Sequence, residues 1–157
     1  MKHVFQPDWV DSRLAIGPAP LGPEDYRLLK EIGISFILSL QEDKELRLFG
    51  RNPDAELSVA AGFDLSVYKV QIEDFNDASL LQNLDEAVET LSELIRTGGK
   101  VYLHCAHGLN RSPTVAAAFL METTGVIPEE AIDRVTAVHA SMPNIGVLKT
   151  WYANRRS

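Results

Sequence analysis

Apolar residues recur along this chain at two alternating periods. Short runs with strand-like spacing are each followed by stretches with helical spacing. Arg13-Leu14-Ala15-Ile16-Gly17 is a short apolar segment closed by glycine and Pro18, and it predicts an edge strand. Gly22-Pro23-Glu24-Asp25 places a proline and two acids where a helix begins, so a helix is expected from Glu24 to Glu31, stopping at Gly33. The apolar, β-rich run Ile34 to Leu40 predicts a buried strand. Gln41 to Pro53 is polar and reads as irregular or partly helical, and Leu65 to Ile72 alternates as strands do. From Leu80 the period changes: Leu80, Leu84, Val88, Leu91 and Ile95 share one helical face, which Gly98-Gly99 ends.

Lys100 to Leu103 is a strand feeding a loop, and the next helix is expected to start near Arg111, with Pro113 in its first turn and an alanine-rich, buried stretch from Thr114 to Glu122. Pro128-Glu129-Glu130 opens another helix with Ala131, Ile132, Val135 and Val138 as its inner face, and a last helix covers Ile145 to Ala153. This order predicts an α/β sheet flanked by helices, with the loop after Leu103 at the C-terminal edge of a strand, where such folds place ligands. At 157 residues, 45% hydrophobic and 24% charged, the chain is expected to form a single domain over residues 1–157.

That loop is His104-Cys105-Ala106-His107-Gly108-Leu109-Asn110-Arg111-Ser112, and it holds the only cysteine. A lone cysteine after an apolar strand is ordinarily a small core residue. The glycine, arginine and serine that follow Cys105 are residues a core cysteine does not need. A loop of this length can turn the backbone N–H groups of Ala106, His107, Gly108, Leu109 and Asn110 toward one centre, and the helix N-terminus adds its positive end there. Arg111 offers a planar fork that matches two phosphate oxygens. The same donors favour a thiolate: such surroundings bring a free cysteine from a pKa of about 8.5 into a range of roughly 3.5–7.5. Ser112 can donate a hydrogen bond to the sulfur and assist its departure. His104 can hydrogen-bond the loop backbone and hold its shape, and His107 points away from a bound phosphate toward the mouth of the pocket. A metal site of Cys105, His104 and His107 is geometrically poor, because the loop turns its N–H groups inward.

Attack by a thiolate on a phosphate ester expels an alkoxide or phenoxide, which needs a proton donor opposite the nucleophile. The candidates lie in Ile72-Glu73-Asp74-Phe75-Asn76-Asp77, just after a strand. Asp74 follows the strand most closely and is the choice. Asp77 is second, since it can equally cap the helix that starts near Ser79 or Leu80. Glu73 is expected to face solvent.

Charge and cysteine content restrict the partners. A formal net charge of −7 argues against non-specific nucleic-acid binding and against docking on an anionic membrane. A single cysteine forms no internal disulfide, the segment Met1 to Trp9 has no apolar signal core, and no stretch is long enough to span a bilayer, so a cytoplasmic location is expected.

His104-Cys105 followed by Arg111-Ser112 resembles the active-site loop of the cysteine-dependent protein tyrosine phosphatases, and the short chain with Ile72-Glu73-Asp74 resembles their dual-specificity branch. The similarity runs from Leu14 to about Pro143. It implies a central, mostly parallel sheet with helices on both faces, a phosphocysteine on Cys105, phosphate binding by Arg111 and the loop amides, and Asp74 as acid and then base. It also implies Ser112 assisting breakdown of the intermediate, no metal and no other cofactor. His107 and Asn110 stand where the commonest dual-specificity pattern has alanine and serine. Polyphosphoinositide phosphatases of this superfamily usually carry lysines where Ala106 and Leu109 stand, which disfavours a highly charged inositol lipid.

A second resemblance is to the phosphatase domain of plant glucan phosphatases, through Leu40-Gln41-Glu42-Asp43, Phe49-Gly50 and Glu73-Asp74-Phe75. It implies that Phe75 stacks on a sugar; packing the loop onto the core is the plainer role for that ring. The glucan-type loop has alanine at His107 and glycine at Asn110, and Leu57 to Asp64 lacks an aromatic. Phosphoprotein substrates carrying phosphotyrosine or phosphoserine/threonine therefore rank first and phosphoglucan second. A rhodanese-type sulfur transferase and a non-catalytic phosphate-binding module are the alternatives from other classes; the second usually loses the cysteine or the acid, and both are kept here.

Overall fold

A computed structural model describes residues 4–156; Met1–His3, part of the segment read as lacking a signal core, and Ser157 lie outside the described residues. Five strands, β1 (Asp8–Trp9), β2 (Leu14–Gly17), β3 (Phe36–Ser39), β4 (Ser66–Lys69) and β5 (Val101–His104), form one sheet in the order β1-β2-β5-β3-β4. Four of them run parallel, and β1 pairs antiparallel with β2. The helices are α1 (Pro23–Glu31), α2 (Asp43–Leu48), α3 (Pro53–Gly62), α4 (Asp77–Arg96), α5 (Arg111–Thr124), α6 (Pro128–Val138) and α7 (Ile145–Arg156).

Because successive strand residues face opposite sides, the sheet feeds two cores. Leu14, Ile16, Leu38, Val101 and Leu103 pack with α4, α5, α6 and α7 in the larger one. Ala15, Ile37 and Tyr102 turn the other way and meet Tyr26 and Leu29 of α1 and Ala60 of α3. Helix α4 buries Leu80, Leu84, Ala87, Val88, Leu91, Leu94 and Ile95, and its chain exit follows Gly98 at φ +92. Every residue of α5 from Arg111 to Met121 is buried. Its alanines let it lie close under the sheet, between α4 and α6.

Register places the chemistry. Gly17 and Ser39 both stand opposite His104, so β2, β3 and β5 end together and their following loops share one edge. The loop after β4 joins them through Val70 N–H donating to Ser39 O and Ile72 N–H donating to Leu40 O.

Several expectations are corrected. The strand at Leu14–Gly17 is not at the edge, because the two-residue β1 covers it. Gln41 to Pro53 is partly helical as expected, through α2, but residues 53–62 form α3, for which the apolar pattern gave no signal. Its apolar residues are spread around the helix, and only Pro53 and Ala60 are buried. The punctuation was present all the same: Asn52 accepts from the Asp54 N–H and Pro53 sits in the first turn. Asn76, not Asp77, caps α4 by accepting from the Ser79 N–H. Val138 faces solvent rather than the α6 interface.

Truncating a fully buried side chain should cost far more than truncating an exposed one. Leu91→Ala is expected to lower the unfolding free energy by about 2–5 kcal/mol while retaining the circular dichroism spectrum. Leu48→Ala should change it by about 0.5 kcal/mol or less. Urea denaturation checks both.

Candidate active site

Cys105 follows β5 directly, is almost fully buried, and has its Sγ 3.3 Å from the Ser112 Oγ in the first turn of α5. The five residues between Cys105 and Arg111 make the loop. Its carbonyls are held from outside. Cys105 O accepts from His104 Nδ1 at 2.9 Å, Ala106 O from the Ala19 N–H at 3.0 Å, and Leu109 O from the Met142 N–H at 2.7 Å. Asn110 O accepts from both the N–H and the hydroxyl of Thr114. In a planar trans peptide the C=O and the next N–H point in opposite directions. Each carbonyl held outward therefore turns the following N–H toward the loop interior. Among the described residues, the N–H groups of Ala106 through Asn110 donate to no protein acceptor. Asn110 does not cap α5 with its side chain and instead donates to Met142 O at 2.9 Å. Loop amides and the helix terminus are thus left to serve an anion.

Arg111 is the first residue of α5, yet its side chain is only 3% exposed. Glu45 of α2 holds it bidentately, with Nη1–Oε1 at 2.6 Å and Nη2–Oε2 at 3.0 Å. Ile72 O accepts from Nη1 at 2.9 Å. Nη2 stands 3.4 Å from Asp74 Oδ2, and Nε–H donates to no described residue, which leaves the Nε–Nη2 edge to offer a phosphate. Glu45 also accepts from the Glu42 N–H at 2.8 Å, so the start of α2 fixes the carboxylate that fixes the arginine. Burial raises the Glu45 pKa, but the hydrogen bonds from Arg111 and Glu42 and the charge of Arg111 outweigh it and hold the carboxyl below its ordinary value. Burial likewise opposes the Arg111 charge, and Glu45, with Cys105 and Asp74 behind it, reverses that and raises its pKa.

His104 is fully enclosed, and burial pulls its pKa down to about 4 against the opposing effect of its bond to Cys105 O. The ring is neutral at pH 7, with Nδ1–H donating, and it stacks against Tyr102 at 5.9 Å. Tyr102 in turn donates to Pro18 O.

Asp74 and Phe75 lie in the turn between Ile72 and α4. The Phe75 N–H donates to Asp74 Oδ1 at 3.1 Å, and Phe75 has φ +57 with its side chain 99% exposed. The ring does not pack the loop onto the core. Glu73 is exposed and accepts from Asn76 Nδ2; Asp77 is turned aside to accept from Asn144 Nδ2. His107 is exposed and lines a groove of about 300 Å³ with Ala19, Leu21, Gln41, Phe49 and Arg51. Glu45 is the site residue that sequence reasoning missed. Its only signal was Glu42-x-x-Glu45, the spacing of a helix start.

Comparison with known proteins agrees with this geometry. The family profile described as dual specificity phosphatase, catalytic domain, matches residues 23–156. An amyloplastic phosphoglucan phosphatase of Castanea sativa is 30% identical over 87% of this chain, which spans 37% of that protein. The phosphatidylglycerophosphatase and protein-tyrosine phosphatase 1 of Mus musculus is 29% identical over 85% of this chain and 68% of its own length. The crystal structure of Tk-PTP in its active form superposes with a TM-score of 0.77 at 26% identity, over 94% of each chain.

Removing Glu45 should strand a buried guanidinium. Glu45→Ala is expected to cost about 3–5 kcal/mol, toward the lower end because Ile72 O and Asp74 still face Arg111; urea denaturation measures it. Acidification should destabilise the fold in two stages. His104, with its folded pKa below the ordinary value of about 6.5, contributes fully above that pH and loses its contribution as pH falls toward its folded pKa. Glu45, also lowered, contributes fully above about 4.3 and loses its contribution as pH falls through its folded value. Unfolding free energy measured against pH should therefore begin to fall below about 6.5, and His104→Asn should confine the loss to the carboxylate range.

Proposed function

The chain belongs to the dual specificity phosphatase catalytic-domain family, and on that premise we propose that it hydrolyses phosphate monoesters of phosphotyrosine and phosphoserine/threonine proteins through a phosphocysteine on Cys105. The observation that carries this reading is the placement of Arg111, with its helix joining the nucleophile's loop and its Nη2 standing 3.4 Å from Asp74. A phosphoryl group held on that guanidinium has the Cys105 sulfur on one side and a carboxyl group on the other.

The steps follow from the positions. The Cys105 thiolate attacks phosphorus, forming an S–P bond as the ester P–O bond breaks. Asp74 gives its proton to the departing oxygen, so the leaving group is an alcohol or phenol rather than its anion. Loop amides and Arg111 hold the equatorial oxygens, where charge is spread in a loose transition state. Water then attacks phosphorus, Asp74 takes the water proton, and the S–P bond breaks to return the thiolate. Ser112, 3.3 Å from Sγ, hydrogen-bonds the sulfur as it leaves. A thiol nucleophile must stay reduced to work, which agrees with a cytoplasmic setting.

Phosphoglucan is the second reading, and one observation favours it. Phe75 stands fully exposed beside Asp74 at φ +57, where it adds nothing to the core, and an aromatic face so placed suits stacking on a sugar ring.

Cys105→Ser should abolish turnover of a small aryl phosphate while phosphate binding persists; substantial residual turnover refutes the mechanism. Asp74→Ala should slow ester hydrolysis by about 10²–10⁴-fold, and less for substrates with good leaving groups. Should Asp77→Ala behave that way instead, the acid is misassigned. A side-by-side assay of phosphotyrosine peptide, phosphothreonine peptide and solubilised phosphoglucan, with Phe75→Ala as the second enzyme, decides the substrate class. Selective loss on phosphoglucan supports the second reading.

A further inference from the structure

The loop has one more anchored carbonyl, and it is held differently from the rest. Gly108 O lies 2.6 Å from Nε2 of His139, a buried histidine at the C-terminal end of α6. The other ring nitrogen, Nδ1, lies 2.7 Å from Oδ2 of Asp8 in β1. Residues from the sheet edge, the loop and the end of α6 thus meet in one chain of contacts, Asp8–His139–Gly108. Both ring nitrogens face oxygen acceptors. Both contacts are hydrogen bonds when each nitrogen carries hydrogen.

Gly108 is the place on the loop where this matters most. Its φ of +71 is a conformation that glycine adopts without cost, and a Cβ there would stand 2.8 Å from Gly17 C and 2.9 Å from Gly17 O. The loop backbone is therefore wedged between the end of β2 and the His139 ring. With Gly108 O pulled outward, the N–H of Leu109 is turned inward, as that of Asn110 is by the contact of Leu109 O with the Met142 N–H. Elsewhere the outward pull comes from a backbone N–H or from the loop's own flanks; here it comes from a side chain, held in turn by a carboxylate on the first strand.

We propose that His139, oriented by Asp8, is a positioning residue that sets the curvature of the phosphate loop by holding the Gly108 carbonyl out of the pocket. It touches neither phosphate nor leaving group and acts through the Leu109 amide. The proposal rests on the phosphatase reading of this loop for its effect on turnover, but its effect on anion binding stands apart from that reading.

The test measures three quantities in wild type, His139→Ala, His139→Gln, Asp8→Asn and Asp8→Ala: affinity for inorganic phosphate by calorimetry, kcat and KM for p-nitrophenyl phosphate, and the thermal midpoint. His139→Ala should weaken phosphate binding about tenfold, the weight of one hydrogen bond, and lower kcat/KM in step. His139→Gln, whose amide can donate to Gly108 O, should restore most of the phosphate affinity even where the thermal midpoint stays low. Asp8→Ala should fall between wild type and His139→Ala. Wild-type phosphate affinity and kcat/KM in folded His139→Ala overturns the proposal, as does equal impairment of the Gln and Ala variants. If His139→Ala does not fold, the Asp8 variants decide: weakened phosphate affinity in folded Asp8→Ala, with Asp8→Asn nearer wild type because its amide oxygen can still accept from the ring, supports the proposal, and wild-type phosphate affinity in Asp8→Ala overturns it. A wild-type protein that binds phosphate but hydrolyses no aryl phosphate refutes the phosphatase reading alone, and the binding series still decides the role of His139.

Discussion

The bidentate pair between Glu45 and Arg111 is the interaction on which the site depends. It brings a guanidinium into the interior, where an unpaired charge would be driven out, and it fixes which edge of that group remains for a ligand. It also joins parts of the molecule that the sheet alone does not hold together. Glu45 belongs to α2, which is tied to the strand side by Lys69 Nζ on Asp43 at 2.7 Å and by the Asp43 N–H on Gln71. Arg111 belongs to α5, the helix buried beneath the sheet. The carbonyl of Ile72, on the same guanidinium, brings in the loop that carries Asp74. The Cys105 loop, Arg111 and the Asp74 loop are thus assembled around one buried charge.

Around that charge the fold works by subtraction. A loop of free amides could satisfy itself by local turns, and then it would bind nothing. Here the carbonyls of Cys105, Ala106, Leu109 and Asn110 are engaged by the side chain of His104, β2's exit, the segment before α7 and the start of α5, so the amides that follow them face the interior. His104 performs this as a neutral donor because burial keeps the proton off its second nitrogen.

What could be read in the chain follows from the range of each interaction. Cys105, Arg111 and Ser112 are within one loop, so their spacing carries the chemistry openly. Asp74 was singled out because it follows a strand, and that strand, β4, ends at the same sheet edge as β3 and β5, a consequence of α/β topology rather than of local pattern. Glu45 was hidden because it lies 66 residues from its partner in a polar stretch with little apolar periodicity, and pairings of that kind leave no mark on either segment. Helix α3 was hidden for a related reason: it covers the small core with little more than Ala60, so its apolar residues need not align. The edge assignment of β2 failed because a strand as short as β1 is below what alternation can reveal. Phe75 is the reverse case, an aromatic that packing logic assigns inward and that the turn's left-handed backbone carries out to solvent.

The outward anchoring of the loop carbonyls has a thermodynamic side. The anchors come from elements that meet only in the native fold, so the anion site has no counterpart in the unfolded chain. Binding and folding are then a single linked equilibrium. A phosphate-like anion present at a hundred times its dissociation constant would add about 2.7 kcal/mol to the apparent stability, a large share of the margin on which an ordinary domain lives. An anion held in that loop would thus stabilise the domain, and loosening any one anchor would weaken ligand and fold together.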